Sequence, residues 1–514
     1  MSATPDIVRD WKRDWLFLLP CLAVALLVRL YFFNGPSLHD DVNYWMQATA
    51  TGLGGDWPPL KYHWHTRLGF VLPCAALLKV FGLHIWTPYV FTMAGGLAEV
   101  VVTFYIARRF TLDTTARLAA WLCVFFPLNI LYSSYLYVDI WAGVLGALSL
   151  YYWQRALKLD RIRYYLVASI FFGVAWVFRE TIVMCVPIFL VLWAQAGWRR
   201  SGKLLWVLLP GLLIFAGESL LYQISAGNWH YRLDAIVASR GQLYEDLANV
   251  RNFWLQPFME LLKSHELGLF MIGALFVAVG RFSQLPRPLV LWLLAGFVWF
   301  SWGTTQPTAW VPMQGDPRYL TVLTIPCLTL LAAWLTSLRS SWWRRALVGV
   351  LIASGLMGAA LDIGHDKLSA YRKFTESEYN QPATVLEPFV YFGARVTQNF
   401  SPTDVRYACA NDLGRITTIK QIHYLPGTRL VSWTEARYLV LSVQIQPEKW
   451  RTKIKEGWRK VAEIPGHNVP AREWVARCLA KLSGRSVAVS PTPVLIVLEN
   501  PTFATNSDGA LQGH

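Results

Sequence analysis

The chain has 514 residues, of which 54% are hydrophobic and only 15% charged, with a mean hydropathy of +0.34. Soluble domains carry about a quarter charged residues, so this composition excludes an ordinary soluble protein. The net charge of +15 does not point to nucleic acid, because the basic residues form no stripe and no aromatic-interleaved patch.

A membrane-spanning helix needs about 20 mainly apolar residues. In chain order the candidates are 15–33, 85–107, 116–134, 139–156, 164–179, 180–197, 203–224, 267–280, 287–303, 319–338 and 345–362, which makes eleven. Residues 1–33 have the charge order of a signal peptide, but the run is long and has no small-residue cleavage site, so it stays as a helix. Basic clusters occupy every second connection: Arg9, Lys12 and Arg13; Arg108, Arg109 and Arg117; Arg155, Lys158, Arg161 and Arg163; Arg199, Arg200 and Lys203; Arg281 and Arg287; Arg339, Arg344 and Arg345. Cytoplasmic loops carry the excess of Lys and Arg. The N-terminus is therefore expected in the cytoplasm and, after eleven helices, the C-terminus outside it.

Three outer segments are long or chemically busy. Within 34–84 the stretch 67–82 is apolar but short and reads as an interfacial or re-entrant helix. The segment 225–266 mixes charges with Trp229, Tyr231, Trp254 and Phe258, and 304–318 is broken by prolines and a glycine. Beyond residue 363 the chain turns polar. Val405–Ala410, Tyr438–Val443 and Val494–Leu498 read as strands, while Pro447–Lys460 and Pro470–Leu482 read as helices. The expected organisation is a transmembrane body, 1–363, and an extracytoplasmic α/β domain, 364–514. Five cysteines (Cys21, Cys74, Cys123, Cys185, Cys327) lie in apolar runs as core residues, and Cys409 and Cys478 are a candidate pair.

Residues suited to chemistry gather at the outer helix ends. Asp40 and Asp41 follow the first helix; neighbouring side chains on a helix diverge by about 100°, so one of the two is expected to be the working group. A solvated loop or helix cap is the alternative. Asp139 starts the fourth span, where a helix N-terminus favours a carboxylate whether it caps or reacts. Arg179 and Glu180 turn between the fifth and sixth spans, either as a mutual ion pair or with Arg179 holding a phosphate. Arg318 opens the tenth span as a phosphate ligand or a snorkelling anchor. Arg29, in the first helix, is expected to snorkel; His84 and Glu99 are expected to be structural. His63 and His65 with Asp40 or Asp41 are an alternative site for a divalent metal; no cofactor is fixed by these residues. A secondary transporter would concentrate charge near the bilayer midplane and show repeat symmetry, and this chain does neither.

These motifs, in this order, resemble the GT-C superfamily of polyprenol-dependent glycosyltransferases. The resemblance is nearest to the bacterial branch related to protein O-mannosyltransferases and the lipid A aminoarabinose transferase. It rests on Asp40-Asp41 with Tyr44, Pro58-Pro59-Leu60, Phe81-Gly82, Asp139, Arg179 and Arg318-Tyr319. The second acid is Asp41 where Glu is commoner, and the start at His39 with the Arg67 segment is also similar to anchor-lipid mannosyltransferases. The resemblance spans 9–362 and leaves the C-terminal domain unmatched. It implies an inverting transfer from a polyprenyl-phosphate sugar to an acceptor outside the cytoplasm. One weak sequon, Asn399-Phe400-Ser401, and no retrieval signal point to a bacterial inner membrane, and the basic clusters then make the C-terminal domain periplasmic. Asp40, assisted by Asp41 and Asp139, is then the catalytic candidate. Arg318 and Arg179 are the donor-phosphate ligands, and Tyr44, Lys61, His63, Arg67 and Tyr319 bind substrate. A flippase of lipid-linked sugars and a non-catalytic scaffold are the competing classes.

Overall fold

The computed structural model describes residues 11–33, 40–53, 66–82, 84, 86–197, 203–237, 255–264, 266–303 and 317–362, then 370, 373–374, 376–379, 384–386, 406–409, 428–431, 437–442, 449–466, 477 and 493–501. The protein is a helical membrane protein with a small mixed sheet near its C-terminus. The helices are α1 (Trp11–Tyr31), α2 (Asp40–Leu53), α3 (Leu68–Phe81), α4 (Tyr89–Phe110), α5 (Asp113–Val124), α6 (Pro127–Ser134), α7 (Asp139–Leu159), α8 (Ile162–Phe178), α9 (Val186–Ala196), α10 (Leu204–Ala226), α11 (Gln256–Lys263), α12 (Gly268–Gly280), α13 (Arg287–Trp302), α14 (Thr324–Ser337) and α15 (Ser341–Asp362).

Every one of the eleven expected segments is helical, but their lengths differ from the expectation. Among the described residues five helices are long and apolar enough to cross a membrane unaided, and α5 with α6 makes a sixth if that bent pair is one span. The pair bends by 50°, because Pro127 at the first position of α6 cannot continue the hydrogen-bond ladder of α5. The segment 180–197 opens as a 3-10 turn, Glu180–Cys185, and 319–338 opens as another, Pro317–Leu323. Such breaks shorten the regular helix without removing it from the body.

The stretch 67–82 does form a helix, α3. A second helix between α1 and α3, α2, lacks a long apolar run and is not signalled by one. Tyr44, Trp45 and Ala48 are its buried face. Gly52 lets α2 and α3 touch: a Cβ there would lie 2.5 Å from the Ala75 carbonyl oxygen. Gly355 does the same for α15, where a Cβ would collide with the Phe125 carbonyl at the α5–α6 bend. Membrane helices approach most closely at such small residues.

The sheet has the order β3-β2-β1-β4-β6-β5, from β1 (Thr384–Leu386), β2 (Arg406–Cys409), β3 (Thr428–Val431), β4 (Tyr438–Ser442), β5 (Arg459–Pro465) and β6 (Pro493–Glu499). The first four strands run parallel, while β6 is antiparallel to both β4 and β5. Leu439, Val440 and Leu441 of β4 and Leu495 to Leu498 of β6 are all buried, as in a strand covered on both faces. Three strands coincide with the expected runs. The expected helix 447–460 is shorter: Lys449–Lys455 is helical, Gly457 turns with φ 97°, and β5 begins at Arg459. Tyr438, Val440, Ile464, Leu495 and Val497 share one apolar cluster with Tyr44, Trp45 and Phe70, so the sheet packs toward α2 and α3. The five apolar-run cysteines are buried free thiols; Cys409 lies on β2, and Cys478 lies outside the described residues.

Candidate functional site

Three sequence-distant helix ends build one pocket. Asp139 is the first residue of α7, Arg179 ends α8 in an extended conformation (φ −152°, ψ 127°), and Arg318 and Tyr319 ride on the 3-10 turn before α14. All four line the same cavity, with Thr181 and Phe300. The turn is pinned to α7 where the Thr321 hydroxyl donates to the Asp139 carbonyl at 3.3 Å. Gly143, one turn into α7, permits this approach, since a Cβ there would stand 2.9 Å from the Thr321 side chain.

The electrostatics of the pocket are uneven. Asp139 and Arg179, each 3–4% exposed at the side chain, form an ion pair. The Arg179 guanidinium lies 4.7 Å from the Tyr319 ring centre, and Arg318 lies 5.6 Å from the same ring and 5.7 Å from that of Tyr137. Among the described lining residues two guanidiniums accompany one carboxylate, with aromatic rings beside both guanidiniums. Asp139 Oδ2 and Arg179 Nε, although buried, have no hydrogen-bond partner among the described residues. A cavity lined by two guanidiniums, with unused hydrogen-bonding capacity on Arg179, suits an anion, above all one with several acceptor oxygens.

Beside the pocket runs a second buried network. Arg67 donates to both Glu180 oxygens, at 3.0 and 3.4 Å, and to the Tyr44 hydroxyl. Glu180 also lies 3.6 Å from Arg232, which pairs with Glu218. Glu218 accepts the Trp176 indole N–H at 2.8 Å, and Arg232 donates to the Trp176 carbonyl at 2.6 Å. Tyr222 of α10 donates to the Thr66 carbonyl at 2.7 Å. Glu180 is thus bonded to Arg67 and Arg232 while its neighbour Arg179 pairs with Asp139. Of the two sequence readings, the mutual Arg179–Glu180 pair does not form, because an extended residue and the one after it point to opposite sides.

Asp40 and Asp41 are the first two residues of α2, and Asp40 stands one turn before Tyr44. Lys61, His63 and His65 lie outside the described residues, and with them the candidate metal site. Among the described residues no group of three metal-ligating side chains occurs.

Two features escape a linear reading. Glu218 and Arg232 find each other across a helix end; a carboxylate in the apolar α10 was the available signal, since intramembrane charges are rare and need partners. Arg29 does not snorkel. It is fully buried, donates to the Ala25 carbonyl at 2.8 Å, and packs against Gly96 and Ser133. Gly96 leaves the space that keeps this guanidinium inside. Glu99, on the same helix, accepts from Asn129 in the buried interior.

Residues 70–220 match the protein family described as dolichyl-phosphate-mannose-protein mannosyltransferase. The whole chain is similar to the crystal structure of ArnT from Cupriavidus metallidurans bound to undecaprenyl phosphate. That likeness has a TM-score of 0.55 at 13% identity and covers 94% of this chain and 98% of ArnT. The oligosaccharyltransferase of Archaeoglobus fulgidus in its apo form is similar at a TM-score of 0.49 and 12% identity, over 85% of this chain and 71% of that one. Among curated proteins none matches the sequence.

Proposed function

With the GT-C fold as premise, we propose that this membrane protein is a glycosyltransferase that moves a sugar from a polyprenyl-phosphate donor to an acceptor outside the cytoplasm. The observation that carries the reading is the single pocket in which Arg179 and Arg318 face Asp139 around Tyr319. The family described for 70–220 and the ligand of ArnT both support a lipid-phosphate donor.

In this reaction Asp40 takes the proton from an acceptor hydroxyl. The oxygen attacks the anomeric carbon from the face opposite the phosphate, inverting it. The carbon–oxygen bond to the phosphate breaks, and polyprenyl phosphate leaves with the bonding pair. Arg318 and Arg179 stabilise the charge that grows on the leaving phosphate, inside a low-dielectric site where such contacts count most. Asp139 orients the acceptor across the pocket; Asp41 supports Asp40. Lys61, His63 and Tyr319 contact substrate, and Tyr44 and Arg67 hold the α2 end of the site. The membrane is a bacterial inner membrane, with the N-terminus cytoplasmic, residues 1–363 catalytic and residues 364–514 periplasmic.

The acceptor is found by mass spectrometry of cell-surface lipids and glycans after deletion of the gene. Turnover by purified Asp40→Asn then tests the mechanism. Loss of the modification in cells carrying this variant supports it, and full activity with both Asp40→Asn and Asp41→Asn sinks it. Transport of a lipid-linked sugar that survives both substitutions would identify a flippase instead.

A further inference from the structure

The pocket's own carboxylate is seated on the pocket's own guanidinium. Asp139 Oδ1 contacts Arg179 Nη1 as an ion pair, both side chains are buried, and Arg179 Nε and Nη1 and Asp139 Oδ2 make no hydrogen bond among the described residues. A carboxylate that meets the guanidinium through one oxygen and leaves the other idle is a poor match for a group that carries several donors in a rigid fork. A phosphate offers more acceptor oxygens and more charge. It would also meet Arg318, which shares the Tyr319 ring with Arg179.

Building on the donor reading above, we propose that Asp139 is a built-in competitor for the donor phosphate: it occupies Arg179 in the empty pocket, and phosphate binding displaces it. The displaced carboxylate has somewhere to go. It sits at the N-terminus of the 21-residue helix α7, whose dipole and unpaired N–H groups stabilise a negative charge there. Its backbone stays fixed, because the Thr321 hydroxyl holds the Asp139 carbonyl. Only side-chain torsions need change. The consequence is an order of events. The acceptor-facing carboxylate becomes available only after the donor has arrived, so a pocket without donor keeps its acid neutralised and its cation masked.

The test is equilibrium binding of undecaprenyl phosphate to the purified full-length protein, followed by tryptophan fluorescence. Asp139→Asn removes the competitor and keeps the shape, so affinity should rise by about tenfold, the low end of the coupling measured for close buried charge pairs. Asp139→Glu keeps the charge and should bind near the wild-type value. In an Arg179→Gln background, adding Asp139→Asn should have a much smaller effect, since the contested partner is gone. Unchanged or weaker binding by Asp139→Asn overturns the proposal, because Asp139 would then be holding Arg179 in place for the ligand. If Asp139→Asn does not fold, the structure of the wild-type protein with undecaprenyl phosphate decides the point. Arg179 on the phosphate with the Asp139 contact broken supports the proposal, and an intact pair overturns it. The donor reading itself fails separately, if Arg318→Ala and Arg179→Gln bind undecaprenyl phosphate as the wild type does.

Discussion

The two ends of the helical body are both laced with ion pairs, yet they are built differently. At the basic end, Arg117 and Asp113 meet at 2.7 Å with side chains 32% and 35% exposed, and Lys203 meets Asp160 at 2.8 Å with 35% and 44% exposed. Arg108 joins Asp113 at 3.2 Å and also pairs with Asp14, tying the starts of α1 and α5 to the end of α4. At the pocket end, every partner in the Arg67–Glu180, Arg232–Glu180, Arg232–Glu218 and Arg179–Asp139 pairs is at most 7% exposed. Exposed pairs contribute little, because water and salt already stabilise the separated charges. Buried pairs carry a large desolvation cost, and apolar residues could often replace them without loss of stability. Four such pairs among the described residues at one end therefore hold a geometry there.

The sharpest way to break this contrast is to find the wrong end in the cytoplasm. Reporter fusions after residue 370 should be active only as extracytoplasmic reporters. A cytoplasmic signal would put the pocket on the side where activated nucleotide donors are available and would undo the donor assignment.

Substitutions should then affect the two ends unequally. Asp40→Asn is expected to lower turnover by roughly 10²–10⁴, the range for a lost general base, with undecaprenyl phosphate binding retained. Asp41→Asn should cost less, and the reverse order would show that the base is Asp41. Arg67→Ala takes from Glu180 its bidentate partner and leaves it the longer contact with Arg232, and removing one partner of a buried pair costs about 3–5 kcal/mol. Thermal unfolding of the detergent-purified protein reads this as a large fall in midpoint. Equal stability in Arg67→Ala would mean that the pair is held open to water.

Smaller effects sharpen the same picture. Arg318→Lys keeps the charge and loses the planar fork, so undecaprenyl phosphate should bind about tenfold more weakly, close to Arg318→Ala. Wild-type binding by the lysine variant would show that Arg318 acts as a point charge. Arg117→Ala, at the basic end, should change stability by about 0–1 kcal/mol and leave turnover unaltered. A loss as large as that of Arg67→Ala would erase the distinction between the two ends.

The amino-acid sequence by itself determined where the chain is helical in the membrane, because desolvating a backbone in lipid demands long apolar runs with every hydrogen bond made internally. It also marked Asp139, Arg179 and Arg318 as residues at helix ends, since charges rarely persist elsewhere in such runs. Local sequence did not reveal α2, whose burial depends on contact with α3 through Gly52 rather than on an apolar run of its own. Nor did it reveal that Pro127 bends one expected span into two helices, a matter of ring sterics against a neighbour one turn away. The tertiary structure alone decided the pairings. Arg179 faces Asp139, 40 positions earlier, and not the adjacent Glu180; Arg67 reaches Glu180 across 113 residues; Arg29 stays inside because Gly96 leaves room for it. An ion pair depends on distances of a few ångströms between side chains, and those distances exist only after the helices have packed.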